Sequence, residues 1–139
     1  MTPDAMAALH CRCFTAPPPW SAKSFASLLS SPHVFHRFEA SGQAFVIGRV
    51  IVDEAELLTL ATAPEARRMG LGRRMISEFE AEAFIRGAKT AFLEVAEDNI
   101  PARTLYEQLG YEPKGERPGY YVGENGQAIS AMILCKSLA

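Results

Sequence analysis

Between Gly70 and Gly87 the apolar residues Leu71, Met75, Phe79 and Ala83 recur every four positions, with Ile76 and Phe84 beside them. Arg73, Arg74, Glu78, Glu80, Glu82 and Arg86 occupy the remaining positions. This spacing predicts an amphipathic helix that begins near Gly72, turns its charged residues to water and ends at Gly87. Upstream, short β-rich runs predict strands over His33 to Glu39, Ala44 to Val52 and Glu56 to Thr62. The hairpin signal Ser41-Gly42 and a tight turn around Asp53-Glu54 join them into an antiparallel meander. Pro3 to Phe14 reads as a first helix, Ala16-Pro17-Pro18-Pro19-Trp20 as a break, and Ser21 as the N-cap of a second helix running to about Leu29.

After the long helix, Lys89 to Val95 is a strand. It follows a strand and a helix by a crossover of suitable length, so it should run parallel to Glu56–Thr62. Asn99-Ile100-Pro101 opens another helix carrying Leu105, Tyr106 and Leu109, with Gly110 at its end. Closing strands at about Tyr111 to Lys114 with Tyr120 to Val122, and at Ala128 to Lys136, flank a Gly123–Gly126 turn. The fold class is α+β, one domain over residues 1–139: a mixed, mostly antiparallel sheet with one parallel pair inside it, flanked by helices.

Between the third strand and the long helix lies Arg67-Arg68-Met69-Gly70-Leu71-Gly72. A strand, glycine loop and helix in that order leave main-chain N–H groups free at the positive end of the helix dipole, where a pyrophosphate can lie. Glycine at 70 and 72 permits close approach and positive φ. Two commoner nucleotide patterns fail: Met75 stands where a dinucleotide fingerprint has its third glycine, and no Gly-Lys-Ser/Thr follows. Taken alone, the hexapeptide is equally compatible with a helix entry holding two incidental glycines.

Composition narrows the field. The 139 residues are 48% hydrophobic and 22% charged, ordinary for a soluble globular protein, and the net charge of −2 argues against a general nucleic-acid binder. Such a length buries roughly two thirds of the unfolded surface without covalent staples. No basic and apolar leader opens the chain and no apolar run reaches membrane-spanning length. Cys11, Cys13 and Cys135 lack zinc or Cys-x-x-Cys spacing and fit free thiols in a reducing cytoplasm. His10 beside Cys11 and Cys13 invites a metal reading, but no second ligand cluster accompanies it, so no metal is expected.

Several separated segments then agree with one family. Glu56-Leu-Leu-Thr-Leu-Ala-Thr-Ala-Pro-Glu-Ala-Arg67-Arg-Met-Gly-Leu-Gly72 resembles the acetyl-coenzyme A (acetyl-CoA) motif of the GCN5-related N-acetyltransferases (GNAT), with Arg67 where that family has Gln or Arg. Phe92-Leu-Glu94-Val-Ala-Glu-Asp-Asn99, followed by Ala102-Arg-Thr-Leu-Tyr106-Glu-Gln-Leu-Gly-Tyr111, resembles its second motif. Pro19-Trp20-Ser21, Leu93-Glu94-Val95, Asn99, Leu105-Tyr106 and Arg117 with Tyr120-Tyr121 are together similar to the RimI-type ribosomal-protein alanine N-acetyltransferases.

The resemblance implies an α/β/α sandwich whose two central parallel strands splay apart to admit the pantetheine arm. Leu60, Ala61 and Thr62 would then lie alongside the cofactor, with Arg67, Arg68, Met69, Gly70, Leu71, Gly72, Arg73 and Asn99 completing its site. It makes Glu94 the general base and Tyr106 the general acid that protonates the coenzyme A sulfur. From the residues alone, Tyr106 equally reads as core packing, Asn99 as a helix N-cap, and Arg68, Arg73 and Arg74 as solvated side chains. A carboxylate near pKa 4.3 lies over three units below an α-amine, so direct abstraction is uphill by roughly 5 kcal/mol unless burial or a water relay assists. A lysine amine would add about 3.5 kcal/mol more. A backbone N–H near Leu60 to Thr62, at a bulge, is the expected oxyanion donor.

The implied acceptor is a polypeptide N-terminus, foremost the alanine N-terminus of a small-subunit ribosomal protein, lined by Trp20, Arg117, Tyr120 and Tyr121. Pro118 stands where RimI-type proteins often carry a second arginine, and Gln127-Ala128-Ile129 replaces a more acidic stretch. The expected partners are thus acetyl-CoA and a protein N-terminus, for a cytoplasmic monomer that binds neither nucleic acid nor membrane. The alternatives are acetylation of a small amine or a lysine side chain, and a non-catalytic acyl-CoA sensor.

Overall fold

Thr2 and Ser21 start the two N-terminal helices in the same way, each hydroxyl accepting a main-chain N–H three residues on, from Ala5 and Ser24. The computed structural model describes residues 1–14, 19–123 and 125–138. The expected break at Ala16-Pro17-Pro18 and residue Glu124 of the last turn lie outside the described residues. Helices α1 (Pro3–Cys13) and α2 (Ala22–Leu29) precede strands β1 (Val34–Phe38), β2 (Ala44–Ile51) and β3 (Glu54–Thr62). A 3-10 turn (Pro64–Ala66) leads to α3 (Leu71–Ile85), β4 (Thr90–Ala96), α4 (Ile100–Gln108), β5 (Glu112–Val122) and β6 (Ala128–Ser137).

The six strands form one sheet in the order β1-β2-β3-β4-β6-β5. Among the described residues β3 and β4 are its parallel pair, and the other neighbours are antiparallel. Each face carries its own apolar cluster. On one, Met75, Ile76, Phe79 and Ala83 of α3 and Tyr106 of α4 pack with Leu57, Leu93, Val95 and Leu134. On the other, Met6 and Leu9 of α1 and Phe25 of α2 pack with Phe45, Ile47 and Ala61. The expected helix-sheet-helix sandwich is therefore present.

The helix α3 sits close to the sheet because β2 carries Gly48 beneath it. A Cβ there would lie 2.6 Å from the Phe79 ring and 2.7 Å from that of Phe35. Phe84, expected beside the apolar face, is 62% exposed. At ~100° per residue it falls roughly 125° from the centre of the buried stripe. Glu80 and Glu82, expected to face water, instead sit on the two flanks of that stripe and tie the helix to strands at either side. Glu80 accepts from the Tyr111 hydroxyl (2.9 Å) and from Lys136 Nζ (2.9 Å). Glu82 pairs with Arg37 on β1 (2.6 Å) and with Arg86 (2.8 Å).

Two boundaries differ from expectation. The β2–β3 turn falls at Val52-Asp53 instead of Asp53-Glu54, with Val52 in the left-handed region (φ 58°), so β3 begins two residues before Glu56. The two short strands expected at Tyr111 to Lys114 and Tyr120 to Val122 are one strand, β5, carried past Pro118 and Gly119 by a register shift between Arg117 and Tyr121. An edge strand tolerates a proline at such a bulge because no ladder donor is required there.

Candidate active site

The ladder between β3 and β4 is short. It pairs Glu54, Ala55 and Glu56 with Thr90, Ala91 and Phe92 and then stops, although both strands continue. From Leu57 to Thr62, β3 is paired only with β2, and from Leu93 to Ala96, β4 is paired only with β6. The inner edges of two central strands thus stand apart with main-chain N–H and C=O groups unmatched, a cost that a partner inserted in the gap removes. Leu60, Ala61 and Thr62 lie on this open edge.

A bulge re-aims β3 just before it. Thr59 pairs with Ile47 and Leu57 with Gly48, leaving Leu58 unmatched. The bulge expected near Leu60 to Thr62 therefore lies earlier, at Leu58. Its effect is visible in the packing: Leu57 and Leu60 join the α3/α4 cluster, while Leu58 and Ala61 join the α1/α2 cluster. The break in strict alternation turns Thr59 toward α1, where its hydroxyl meets His10 Nε2 at 3.1 Å.

The loop after β3 holds two left-handed residues, Arg68 (φ 68°) and Gly70 (φ 79°), the latter at the N-cap of α3. Arg74 is the first residue whose N–H enters the helix, donating to Gly70 O at 3.0 Å. The N–H groups of Leu71, Gly72 and Arg73 consequently point out of the helix start. Leu71 reaches both apolar clusters and anchors the loop between them. At Gly72 a Cβ would crowd Leu105 at 3.2 Å and stand 3.9 Å from Thr62 Oγ1, so glycine lets the loop, the end of β3 and α4 come together.

The arginines divide by partner. Arg67 Nε donates to Thr62 O (3.3 Å), pinning the loop to the end of β3. Arg73 reaches Gln108 on α4 (3.0 Å), and Arg74 pairs with Glu78 (2.9 Å). Arg68 makes no side-chain hydrogen bond or ion pair among the described residues, and Met69 is 67% exposed beside it. Asn99 caps α4 by accepting the Ala102 N–H at 3.3 Å.

Glu94 and Tyr106 fall on opposite faces of the sheet. Leu93 and Val95 belong to the α3/α4 cluster, so strand alternation turns Glu94 to the other face. Tyr106 lies within that cluster, 6% exposed, edge-on to Tyr111 at 5.9 Å. Burial pushes its phenol well above the ordinary tyrosine value and keeps it protonated. Glu94 Oε1 lies 2.9 Å from Arg117 Nη2, and Arg117 Cζ sits 5.0 Å from the Tyr120 ring centroid. Tyr120 and Tyr121 pack edge-on at 5.1 Å. Burial, then the nearby Glu94 carboxylate and Tyr120, push the Tyr121 phenol up, with Arg117 opposing. Glu94, Arg117, Tyr120 and Tyr121 are thus one constellation.

Trp20 is not joined to it by any aromatic or hydrogen-bonded contact among the described residues. Its ring lies 5.3 Å from His10 and 5.4 Å from Phe25, and its main-chain N–H donates to His10 Nδ1 at 3.1 Å. With Nδ1 accepting, Nε2 carries the proton and donates to Thr59. His10, 3% exposed and stacked on Phe14, is lowered by burial to about 4 and is neutral. It is the positioning residue that the sequence did not reveal: it links the Trp20 segment to the bulged part of β3. In the sequence His10 drew only the metal reading with Cys11 and Cys13, which points to neither of these partners. Among the described residues no group of three or more His, Cys, Asp or Glu side chains is arranged to hold a metal ion.

Residues 4–111 match the acetyltransferase (GNAT) family. The chain is 36% identical over 128 residues to a [ribosomal protein bS18]-alanine N-acetyltransferase of Escherichia coli K12, covering 91% of this chain and 86% of the relative. It is 33% identical over 122 residues to the N-alpha-acetyltransferase RimI of Mycobacterium tuberculosis, covering 83% and 75%. The crystal structure of the ribosomal-protein-S18-alanine N-acetyltransferase from Escherichia coli superposes with a TM-score of 0.87 at 32% identity over 99% of this chain and 88% of that one. Arabidopsis thaliana NAA60 in complex with acetyl-CoA shares the fold, with a TM-score of 0.79 at 17% identity over 96% and 93%. The chain belongs to the acetyltransferase (GNAT) family, and within it to the RimI-like N-acetyltransferases, which use acetyl-CoA as co-substrate.

Proposed function

We propose that this enzyme acetylates the N-terminal α-amine of a polypeptide, foremost the alanine N-terminus of a small-subunit ribosomal protein. The observation that carries this reading is the placement of Glu94 and Tyr106 on opposite faces of the sheet, beside the gap where β3 and β4 part. The residues present fit acetyl-CoA: an open strand edge at Leu60, Ala61 and Thr62 matches the amides of its pantetheine arm. The helix start over Arg67, Arg68, Met69, Gly70, Leu71, Gly72 and Arg73 suits its pyrophosphate, with Asn99 at the neighbouring helix start. When bound, acetyl-CoA supplies an activated acetyl thioester.

Glu94 receives the acceptor's proton, directly or through water, and Tyr106 Oη holds the proton that the leaving sulfur requires. These are two proton-transfer groups on two sides of one gap, so neither competes for the other's partner. The α-amine suits Glu94 better than a lysine amine because its ordinary pKa is lower by about 2.5 units, roughly 3.5 kcal/mol less to overcome. The exposed strand β5 offers Arg117, Tyr120 and Tyr121 as one wall for an extended peptide, and the Pro19-Trp20 segment supplies another. A ribosomal protein acceptor puts the reaction in the cytoplasm, and the enzyme acts as a monomer.

The relatives named for bS18 modification support the substrate class. The test is acetyl-CoA with peptides beginning Ala, Ser or Met, with N-blocked Ala and with internal Lys, read by mass. Acetylation confined to the free N-terminus, strongest for Ala, is expected. Modification of lysine or of free small amines in preference to every peptide N-terminus would overturn this reading.

A further inference from the structure

On the reading above, Glu94 is a base, yet its Oε1 is engaged by Arg117 at 2.9 Å. A carboxylate oxygen held by a permanently charged guanidinium has a lone pair taken up by that partner. Arg117 and an acceptor amine therefore compete for the same oxygen.

The two partners differ in how freely they leave. The Glu94 side chain is 20% exposed and rooted on central strand β4, whereas that of Arg117 is 52% exposed on edge strand β5. The Tyr120 ring offers the guanidinium a second resting place, with Arg117 Cζ already 5.0 Å from its centroid. The backbone loosens directly after Arg117. Arg117 pairs with Ala131 and Tyr121 with Ile129, so β5 carries four steps against two on β6. The extra residues include Pro118, without an N–H, and Gly119 at φ 61°.

We infer that Arg117 is a placeholder for the acceptor's α-ammonium: it neutralises Glu94 while the acceptor site is empty and moves aside over Tyr120 when a cationic N-terminus binds. The inference rests on the assignment of Glu94 as the base. Withdrawing a cation from a partly buried carboxylate is costly, whereas exchanging one cation for another keeps the charge compensated. A blocked N-terminus brings no charge and cannot make the exchange. Nor can the reaction product: once acetylated, the N-terminus is a neutral amide, so Arg117 returns to Glu94 and favours release. Arg117 is thus a specificity-determining residue that selects for a free amine and against product.

Equilibrium binding to the enzyme saturated with coenzyme A, which carries no acetyl group to transfer, tests this without turnover. The probes are an Ala-initiated peptide and the same peptide N-acetylated. Turnover of Glu94→Gln, measured separately, judges the base assignment alone. Arg117→Gln is expected to bind the free-amine peptide roughly 3- to 10-fold more tightly than wild type, the scale of a partly exposed ion pair. Its preference for the free-amine over the N-acetylated peptide should rise by a similar factor, and Arg117→Lys should restore the wild-type preference. Weaker or equal binding of the free-amine peptide by Arg117→Gln, or equal tightening for both peptides, would overturn the placeholder.

Discussion

Glu94 lies on the opposite face of the sheet from Tyr106, on the stretch of β4 beyond the end of its ladder to β3. Their environments differ accordingly. Glu94 sits in a charged cluster reached from the edge strand, while Tyr106 is enclosed by α3, α4 and Tyr111. On the roles proposed above, that separation would give the reaction a direction, with the acceptor on the Glu94 side and the leaving thiol toward Tyr106.

Removing either group should therefore lower kcat without weakening the donor complex. Glu94→Gln and Tyr106→Phe are each expected to lose about 10²- to 10⁴-fold in kcat, with the Kd for acetyl-CoA within about twofold of wild type. Continuous detection of released thiol together with calorimetric binding checks both. Because burial raises the Tyr106 phenol above its ordinary value, no loss of rate near pH 10 should trace to its ionisation, and Tyr106→Phe should leave the alkaline limb of the profile in place.

The loop arginines should separate by partner. Arg68→Ala removes a cation that has no partner among the described residues, and about a tenfold weaker acetyl-CoA complex is expected, more so at low salt. Arg74→Ala breaks a surface pair with Glu78 and should change affinity by less than about twofold. Equal effects from the two would remove Arg68 from the phosphate site.

Gly48→Ala should destabilise the fold by about 1–3 kcal/mol, because its methyl group would meet two aromatic rings held in the core. Gly70→Ala has open space around it and should cost about 1–2 kcal/mol through its left-handed backbone instead. Thermal melts report both, and only Gly70→Ala should also alter acetyl-CoA binding.

His10 gives stability a pH dependence of known sign. The unfolded chain takes up this proton near pH 6.5 and the folded protein only near 4. Between those values the unfolded state binds more protons, so the stability present above about pH 6.5 falls as pH drops and is fully lost by about pH 4. The loss amounts to at most about 3 kcal/mol. His10→Gln keeps an acceptor for the Trp20 N–H and a donor for Thr59, and its melting temperature should vary less with pH across this window. His36, also held below its ordinary value by burial, remains in both proteins and cancels in the comparison.

Periodicity located α3, turn signals joined the meander and crossover length gave the parallel pair, because each depends on residues near in sequence. The order of strand, glycines and helix singled out the loop, and the family motifs singled out Glu94 and Tyr106 as candidates. What stayed hidden depends on partners distant in sequence. Glu80 and Glu82 look like surface carboxylates until Lys136 and Arg37 arrive from other strands. Phe84 looks apolar and therefore inward, yet the buried stripe ends before it. The bulge at Leu58 leaves no mark in its own composition, since Leu58 is one leucine among neighbours that alternate acceptably in either register. His10 was legible only as an odd residue, since its partners Thr59 and Trp20 are set by tertiary contact.

The exposure of β5 has a bearing on how such an enzyme diversifies. From Glu112 to Val122 every residue except half-buried Tyr121 is exposed, while β3, β4 and α3 carry the core and the donor site. If β5 is the acceptor wall proposed above, substitutions along it would alter which N-termini are accepted while leaving thermal stability and acetyl-CoA binding nearly untouched. Selection on one property is thereby freed from selection on the others. Pro118 and Gly119 sit in that strand, so on the proposed reading a lineage would exchange the acceptor wall residue by residue while inheriting its acetyl-transfer machinery intact.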